Sequence, residues 1–226
     1  MRKLLNASGL GIVALTCCSM AISIASEARG EAADTKVARP LETEGLRAWK
    51  LRHDPRPGRP NHWTRGFARL APDDPRQFAV AKEGKGTPEL VNARAHGIDI
   101  ATKQEFGDCT IRLEMMVAKG SNSGIYVMGE YEIQILDSFG REKVGPGDLG
   151  GIYGASAPRL NASKAPGQWQ TFEIEVQAPR FADGKKVANA VLKKVTLNGQ
   201  VIHKNVELKG PTPGGWTGKE AATGPL

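Results

Sequence analysis

Cysteine and aromatic residues are scarce in this chain of 226 residues, which contains three cysteines and 6% aromatic residues. Cys17 and Cys18 lie in the apolar N-terminal stretch, so Cys109 is the one cysteine beyond it. A single thiol cannot form an internal disulfide, and its place at the start of a predicted strand favours a buried side chain over a nucleophile. We therefore expect the folded domain to be held together by packing.

Helical periodicity is also missing. Beyond the N-terminus, apolar residues never keep a 3.6-residue period over a dozen positions, and no segment is long and apolar enough to cross a membrane. The four histidines are scattered without metal-ligand spacing. The serines lack the strand-to-helix turn that presents a nucleophile. These absences argue against a helix bundle, a zinc enzyme and a serine hydrolase.

The chain has a modest basic excess, with 31 Lys and Arg against 24 Asp and Glu and a net charge of +7. Several arginines surround Trp63 in the proline-rich stretch from Leu51 to Pro75, which we predict to be a loop. No nucleic-acid-binding motif accompanies them, so we expect no nucleic-acid partner. The 27 glycines favour many turns, and the length suits one β-rich domain.

The N-terminus has the layout of a secretory signal peptide. A cationic start, Met1 to Lys3, precedes an apolar stretch from Leu4 to Ala25 that ends in small residues. We predict cleavage after residue 25 and an exported protein, periplasmic or extracellular, with no membrane attachment after cleavage. A retained membrane anchor and a lipoprotein with a lipidated cysteine are the alternatives. The predicted organisation is a signal peptide (1–25), a flexible leader (26–39) and a single domain (40–226).

Strict alternation of apolar residues predicts several β-strands. Apolar side chains stand at every second position, and so on one face, in three segments: Thr110–Val117, Gly124–Gly129 and Tyr131–Asp137. Together these segments predict a three-stranded meander. Asn198–Gly199 between two β-prone runs predicts a tight hairpin. Asp183–Gly184 predicts a second turn. Many short strands with glycine-rich turns indicate an all-β sandwich or jelly roll.

One series of short motifs resembles the 3-keto-disaccharide hydrolase family, formerly a domain of unknown function. The resemblance covers about residues 90 to 210. The motifs that carry it, in order, are Phe106–Asp108, Leu113–Glu114, Asn122–Val127, Tyr131–Ile135, Asp137–Ser138, Gly151–Gly154, Gly167–Trp169 and Asn198–Gly199.

The resemblance implies a concanavalin-like β-sandwich of two antiparallel sheets that binds sugar on the concave face of one sheet. It also implies export and action on glycosides whose ring carries a ketone at carbon 3. Similar proteins continue after a Gly-Pro-apolar step, such as Gly224–Leu226, into a further strand. We therefore expect the 40–226 domain to lack its last strand, which would leave a sheet edge exposed.

The outward positions of the predicted meander provide the candidate site. If the three strands form one sheet, Glu114, Tyr126, Glu132 and Gln134 project from the same face, with alternate residues about 7 Å apart. We therefore assign Glu132, Glu114 and Tyr126 as catalytic candidates and Gln134, Tyr153, Asp137 and Arg112 as substrate-binding candidates. No metal ligands are assigned. Exposed Glu, Gln and Arg side chains on a strand are often no more than the solvated face of a sheet.

A ketone at carbon 3 acidifies the hydrogen at carbon 2 and makes the glycosidic oxygen a leaving group for elimination, after which water adds. This route needs a base, for which Glu132 or Glu114 is suitable, and a proton donor, for which Tyr126 or Tyr153 is suitable. A divalent cation could polarise the ketone through oxygens of Glu132, Gln134 or Asp137. The alternatives are direct two-carboxylate hydrolysis and a non-catalytic carbohydrate-binding module. The sequence leaves the oligomeric state open.

Overall fold

The computed structural model describes residues 13–17, 22–24, 36–38, 45–52, 60–85, 87–93 and 97–226. Strands dominate this part of the chain, together with a short 3-10 helix at Gly45–Ala48. The strands are β1 Val13–Cys17, β2 Ile22–Ile24, β3 Lys36–Ala38, β4 Trp49–Leu51, β5 Trp63–Ala71, β6 Asp74–Ala81, β7 Thr87–Asn92, β8 Ile100–Thr102, β9 Cys109–Val117, β10 Asn122–Val127, β11 Tyr131–Leu136, β12 Trp169–Gln177, β13 Arg180–Ala182, β14 Lys185–Ala188, β15 Ala190–Leu197 and β16 Gln200–Leu208.

One large antiparallel sheet forms the first layer. Its strand order is β16-β15-β12-β9-β1-β7-β5-β6, and β2 pairs with both β9 and β3. The β10–β11 hairpin forms a separate sheet that carries the candidate site. A bridge from Ile133 to Ile152 adds a third short segment beside β11. Two further strand pairs, β4–β8 and β13–β14, complete the fold.

The hydrophobic core contains side chains from both layers in a single cluster. Ile111 and Met115 of β9 and Ile133 and Ile135 of β11 have no measurable exposure. Alternation along each strand sends these side chains inward and their neighbours outward. The prediction of an all-β sandwich of antiparallel sheets is confirmed.

The predicted tight turns are confirmed by their backbone angles. Asn198 and Gly199 both have positive φ, 52° and 82°, between β15 and β16. Asp183 and Gly184, with φ of 49° and 72°, join β13 to β14 in the same way. Two consecutive left-handed residues match the right-handed twist of hairpin strands, which explains the selection of Asn-Gly and Asp-Gly.

The predicted meander is wrong at its first strand. β10 and β11 pair along their full length, but β9 pairs with β12 from Cys109 to Met116 and lies in the large sheet. The short Lys119–Gly120 turn between β9 and β10 therefore carries the chain from one layer to the other. A four-residue connection is compatible with a hairpin or a crossover, so the local sequence could not distinguish them.

The predicted loop from Leu51 to Pro75 is also wrong in its second half. β5 runs from Trp63 to Ala71, pairs with β7 on one side and with β6 on the other, and lies inside the sheet. Three of the prolines precede β5 and Pro72 follows it, so none interrupts its ladder. The first half of that stretch, 53–59, lies outside the described residues.

The N-terminal segments take part in the large sheet. β1 lies between β7 and β9, and β2 pairs with β9, although both fall within the predicted signal peptide. β3 lies in the predicted leader, which therefore contains a strand where we expected no regular structure. Cleavage after residue 25 remains a prediction. No helix in the described ranges is long and apolar enough to span a membrane.

Candidate active site

The candidate site lies on the outer face of the β10–β11 hairpin. Tyr126 of β10 stands directly opposite Glu132 of β11, while Ile125 and Ile133 at the neighbouring positions are fully buried in the core. Two strands with period-two alternation therefore bring a phenol and a carboxyl together on the face opposite the core.

Glu132 and Tyr126 form a direct hydrogen bond. The Tyr126 hydroxyl donates to Glu132 Oε2 at 2.7 Å. The carboxyl folds back over Gly124, whose missing side chain leaves the space that this carboxyl occupies: a Cβ at residue 124 would lie 2.6 Å from Glu132 Cδ. Only 7% of the Glu132 surface is exposed. The pair is thus held in one geometry.

Burial makes Glu132 a group that titrates near neutrality. Loss of hydration raises the pKa of Glu132 to about 7, with the charge of Asp99 adding to the rise and the Tyr126 hydrogen bond opposing it. Burial, followed by the charge of Glu132, raises the pKa of Tyr126 well above its usual value, so the phenol stays protonated. A carboxyl that titrates near pH 7 is suited to general acid–base catalysis.

A second row of residues follows along β11. The segment at Gly150–Tyr153 pairs with the strand: Tyr153 N donates to the Glu132 carbonyl and Gln134 N donates to the Gly151 carbonyl. Tyr153 therefore stands opposite Glu132 on the side away from Tyr126. Tyr153 is 37% exposed, compared with 7% for Glu132 and 4% for Gln134.

The amide nitrogen of Gln134 is held by hydrogen bonds, but its amide oxygen has no hydrogen-bond partner among the described residues. Its Nε2 donates to Asn122 Oδ1 and to the Gly147 carbonyl, both at 3.2 Å. Its Oε1 is buried and has no hydrogen-bond partner in the described part of the chain. An unpaired buried acceptor is costly, and one beside a candidate site is suited to a hydroxyl donor supplied by a ligand.

Two groups that the sequence did not mark also approach the pair. Asp99 contributes to the raised pKa of Glu132, and Arg52 lies beside it with a guanidinium–carboxylate distance of 3.4 Å. Arg52 Nη1 and Nη2 also donate to the carbonyls of Gly214 and Gly215 at 3.1 and 2.9 Å. These contacts span 47 to 163 positions in the sequence, so no local pattern could indicate them.

The predicted placement of Glu114 and Arg112 beside Glu132 is wrong because both residues belong to β9 in the other sheet. Arg112 Nε pairs with Glu173 Oε2 across the strands at 2.8 Å, and Lys194 Nζ approaches the same carboxylate at 3.1 Å. Arg112 is a largely exposed residue of a cross-strand ion-pair network. Glu114, opposite Thr171 on that strand pair, has the same orientation.

Asp137 supports a turn at the other end of β11. Its Oδ2 accepts the Gly120 amide at 2.9 Å, which closes the connection between β9 and β10. It lies five positions along the extended chain from Glu132, a distance of roughly 16 Å. Asp137 is thus not brought to the Glu132–Tyr126 pair.

The described residues contain no group of three or more His, Cys, Asp and Glu that could hold a metal ion. Of the three oxygen donors considered for a cation, Glu132 and Gln134 are neighbours on one face, whereas Asp137 is too distant along β11 to share an ion with Glu132. Two donors, one of them already bonded to Tyr126, do not fit a protein-held divalent cation.

The raised pKa of Glu132 predicts a pH-dependent cost to stability. In the unfolded chain the carboxyl loses its proton near pH 4.5, and in the folded chain near pH 7. Between these values the folded state holds more protons, so the free energy of unfolding falls as pH rises, by about 3 kcal/mol in all. Glu132→Gln removes this titration. In urea unfolding, the free energy of unfolding of the variant relative to the wild type should be larger at pH 8 than at pH 5. An equal difference between the two proteins at both pH values would contradict the shift.

Comparison with known proteins places the chain. Residues 44–226 match the model of the 3-keto-alpha-glucoside-1,2-lyase-like domain. The chain belongs to this family. A search of curated proteins gives no match.

Two solved structures from Parabacteroides distasonis ATCC 8503, each described as a "putative glycosyl hydrolase", resemble this member of the 3-keto-alpha-glucoside-1,2-lyase-like family. The first is 32% identical with a TM-score of 0.50 over 56% of this chain, which spans 58% of the length of that structure. The second is 20% identical with a TM-score of 0.39 and covers 56% of this chain and 71% of that chain, too distant to add to the argument.

Proposed function

We propose that this protein cleaves glycosides that carry a ketone at carbon 3, by elimination and rehydration, with Glu132 as the base. The observation that carries the proposal is the buried Glu132 carboxyl, which titrates near pH 7 and accepts the Tyr126 hydroxyl on the outer face of the hairpin. Membership of the 3-keto-alpha-glucoside-1,2-lyase-like family supports this choice of substrate class.

The chemistry follows from the ketone. Glu132 Oε1 takes the proton from carbon 2, and the electrons of that bond delocalise onto the ketone oxygen as an enolate. The enolate then expels the glycosidic oxygen from carbon 1, and that oxygen takes up a proton as it leaves. Water next adds at carbon 1 while carbon 2 regains a proton, so that the sum is one glycoside plus water giving two free sugars.

The remaining residues have separate roles in this proposal. The Tyr126 hydroxyl donates to Oε2 and so leaves Oε1 as the oxygen that acts as the base. Tyr153, on the opposite side of Glu132, is the donor to the leaving oxygen. Gln134 Oε1 accepts a hydroxyl of the same sugar ring, which satisfies an acceptor that the protein leaves unpaired.

We further propose that the protein acts outside the cytoplasm, supported by its signal-like N-terminus. N-terminal sequencing of the protein from its native host, fractionated into cytoplasm, periplasm and medium, tests this point. A start at Ser26 in an exported fraction supports it, and an intact N-terminus in the cytoplasm contradicts it.

Release of free sugar tests the proposed function. Purified protein is incubated with 3-keto-trehalose or a 3-keto-glucoside, and the unmodified parent sugar serves as the control. Each reaction is run with and without EDTA, so that any contribution of a divalent cation is measured separately. Release of free sugar from the keto substrate, but not from the parent sugar, supports the proposal. Binding without release contradicts it and favours a carbohydrate-binding module.

Gln134→Met is expected to lower kcat/KM by about 10- to 100-fold, because a site built to bind a hydroxyl loses that bond. An analogue that lacks the contacted hydroxyl should lose little further activity in the variant. Monodeoxy 3-keto-glucosides at carbons 4 and 6 identify the hydroxyl. Gln168→Met, at an exposed glutamine, is the matched control. Equal losses on every analogue would contradict a hydroxyl contact.

A further inference from the structure

Glu130 is a buried carboxylate at the turn between β10 and β11, two residues before Glu132. Its exposed fraction is 4%. It accepts three hydrogen bonds: from Thr217 N and Thr217 Oγ1 to Oε1, each at 2.7 Å, and from Gly218 N to Oε2 at 3.0 Å. All three donors lie in one segment almost ninety residues later in the chain.

That segment, residues 211–218, is here called the strap. Thr212 fixes its first half: Oγ1 accepts the Glu132 amide at 2.7 Å and donates to the Glu130 carbonyl at 3.1 Å. Its middle lies against Tyr126, because a Cβ at Gly214 would be 2.6 Å from the Tyr126 hydroxyl oxygen. The strap therefore contacts both partners of the catalytic pair proposed above.

The strap also holds the neighbouring cation. Carbonyls of Gly214 and Gly215 accept from Arg52, and the Trp216 ring lies below Lys50 and Arg52 with centroid distances of 5.6 and 5.7 Å. Most of these strap residues are glycine or proline or are partly exposed. The Glu130 carboxylate is the buried, charged acceptor that ties the second half of the strap to the hairpin.

We propose that Glu130 is a positioning residue that holds the strap over Glu132 and Tyr126 and so keeps water away from the catalytic carboxyl. This inference rests on the proposed function of Glu132. The step from Glu130 to Glu132 is physical: release of the strap admits water, which restores hydration to a carboxyl that burial had deprived of it. In the described residues, the other charged or titratable groups facing the pair are Asp99, Arg52 and Tyr153.

Glu130→Gln tests the proposal. The amide keeps the shape of the carboxylate, but its NH2 group then faces a donor of Thr217 or Gly218 and cannot accept a hydrogen bond from it. We expect kcat to fall about tenfold, and the acidic limb of the kcat/KM profile to move about one unit toward lower pH as Glu132 becomes hydrated. Amide hydrogen exchange should rise in residues 211–218. Glu207→Gln, at an exposed glutamate bonded to Asn189, is the matched control and should change none of these.

Two additional measurements keep the test decisive. If Glu130→Gln does not fold, Thr217→Val removes one of the three donors and should give a smaller shift in the same direction. If the wild type shows no turnover, carbon-13 NMR titration of Glu132 in wild type and variant still measures the hydration change. If Glu130→Gln folds and Glu132 titrates at the same pH in it as in the wild type, the proposal is overturned, whether or not the Tm is lower.

Discussion

Glu132→Gln is expected to lower kcat/KM on a 3-keto-glycoside by about 10²- to 10⁴-fold, the usual contribution of a positioned general base. The amide has the size of the carboxyl and can still meet the Tyr126 hydroxyl, but it cannot take a proton from carbon 2. Because other groups, such as Gln134, are proposed to contact the substrate hydroxyls, KM should change much less than kcat. Initial rates of sugar release across pH 5 to 9 measure the loss.

The wild-type profile belongs to the same experiment. A base must be deprotonated, so kcat/KM should rise with pH through about 7 and then level off, and the residual activity of Glu132→Gln should lack this rise. Glu114→Gln is the matched control, because it makes the same chemical change in the other sheet and should stay within about twofold of wild type. A fully active Glu132 variant would exclude Glu132 as the base. An inactive Glu114 variant would assign that role to Glu114 on β9.

Gly124→Ala is expected to lower kcat/KM by about 10- to 100-fold while leaving the fold intact. The new methyl group would occupy the space of the Glu132 carboxyl, which must move, and displacements near 1 Å cost about this much in a preorganised site. The obstructing atoms are the flexible end of a side chain, so the backbone need not shift.

The control for this substitution is Gly210→Ala, at a glycine with nothing within 4 Å of an added Cβ. Thermal unfolding of both variants should lie close to that of the wild type. A Gly124→Ala protein that unfolds much earlier would assign the glycine to the fold, and one with full activity would show that the carboxyl position above Gly124 is not the reactive one.

The strands and turns were predictable from the sequence because their causes are local. Alternation in Thr110–Val117 and Tyr131–Asp137, and the Asn198–Gly199 turn, are fixed by residues next to one another. The sheet to which each strand belongs was not predictable in this way. β9 finds its partner β12 more than fifty residues later, so the meander inferred from chain order was wrong.

In the candidate site, too, the residues set by local sequence were predicted and those set by distant contacts were not. Tyr126 and Glu132 were predicted together because one hairpin register sets both. Arg52 contacts Asp99 and the strap across 47 to 163 positions, and its contacts with the strap go to backbone carbonyls that leave no mark on the side-chain pattern. Glu130 lies between two predicted strands, but its role depends on donors from residues 217 and 218 that only the folded chain brings near.

Sugar release in D2O tests the central claim most directly. Elimination passes the carbon 2 proton to Glu132, which exchanges with solvent, and rehydration returns a solvent deuteron. The account predicts that wild-type protein releases 3-keto-sugar with one deuterium at carbon 2 by proton NMR, while product incubated alone or with Glu132→Gln stays protiated. Rapid release of sugar that keeps its hydrogen at carbon 2 would contradict the account and favour direct two-carboxylate hydrolysis.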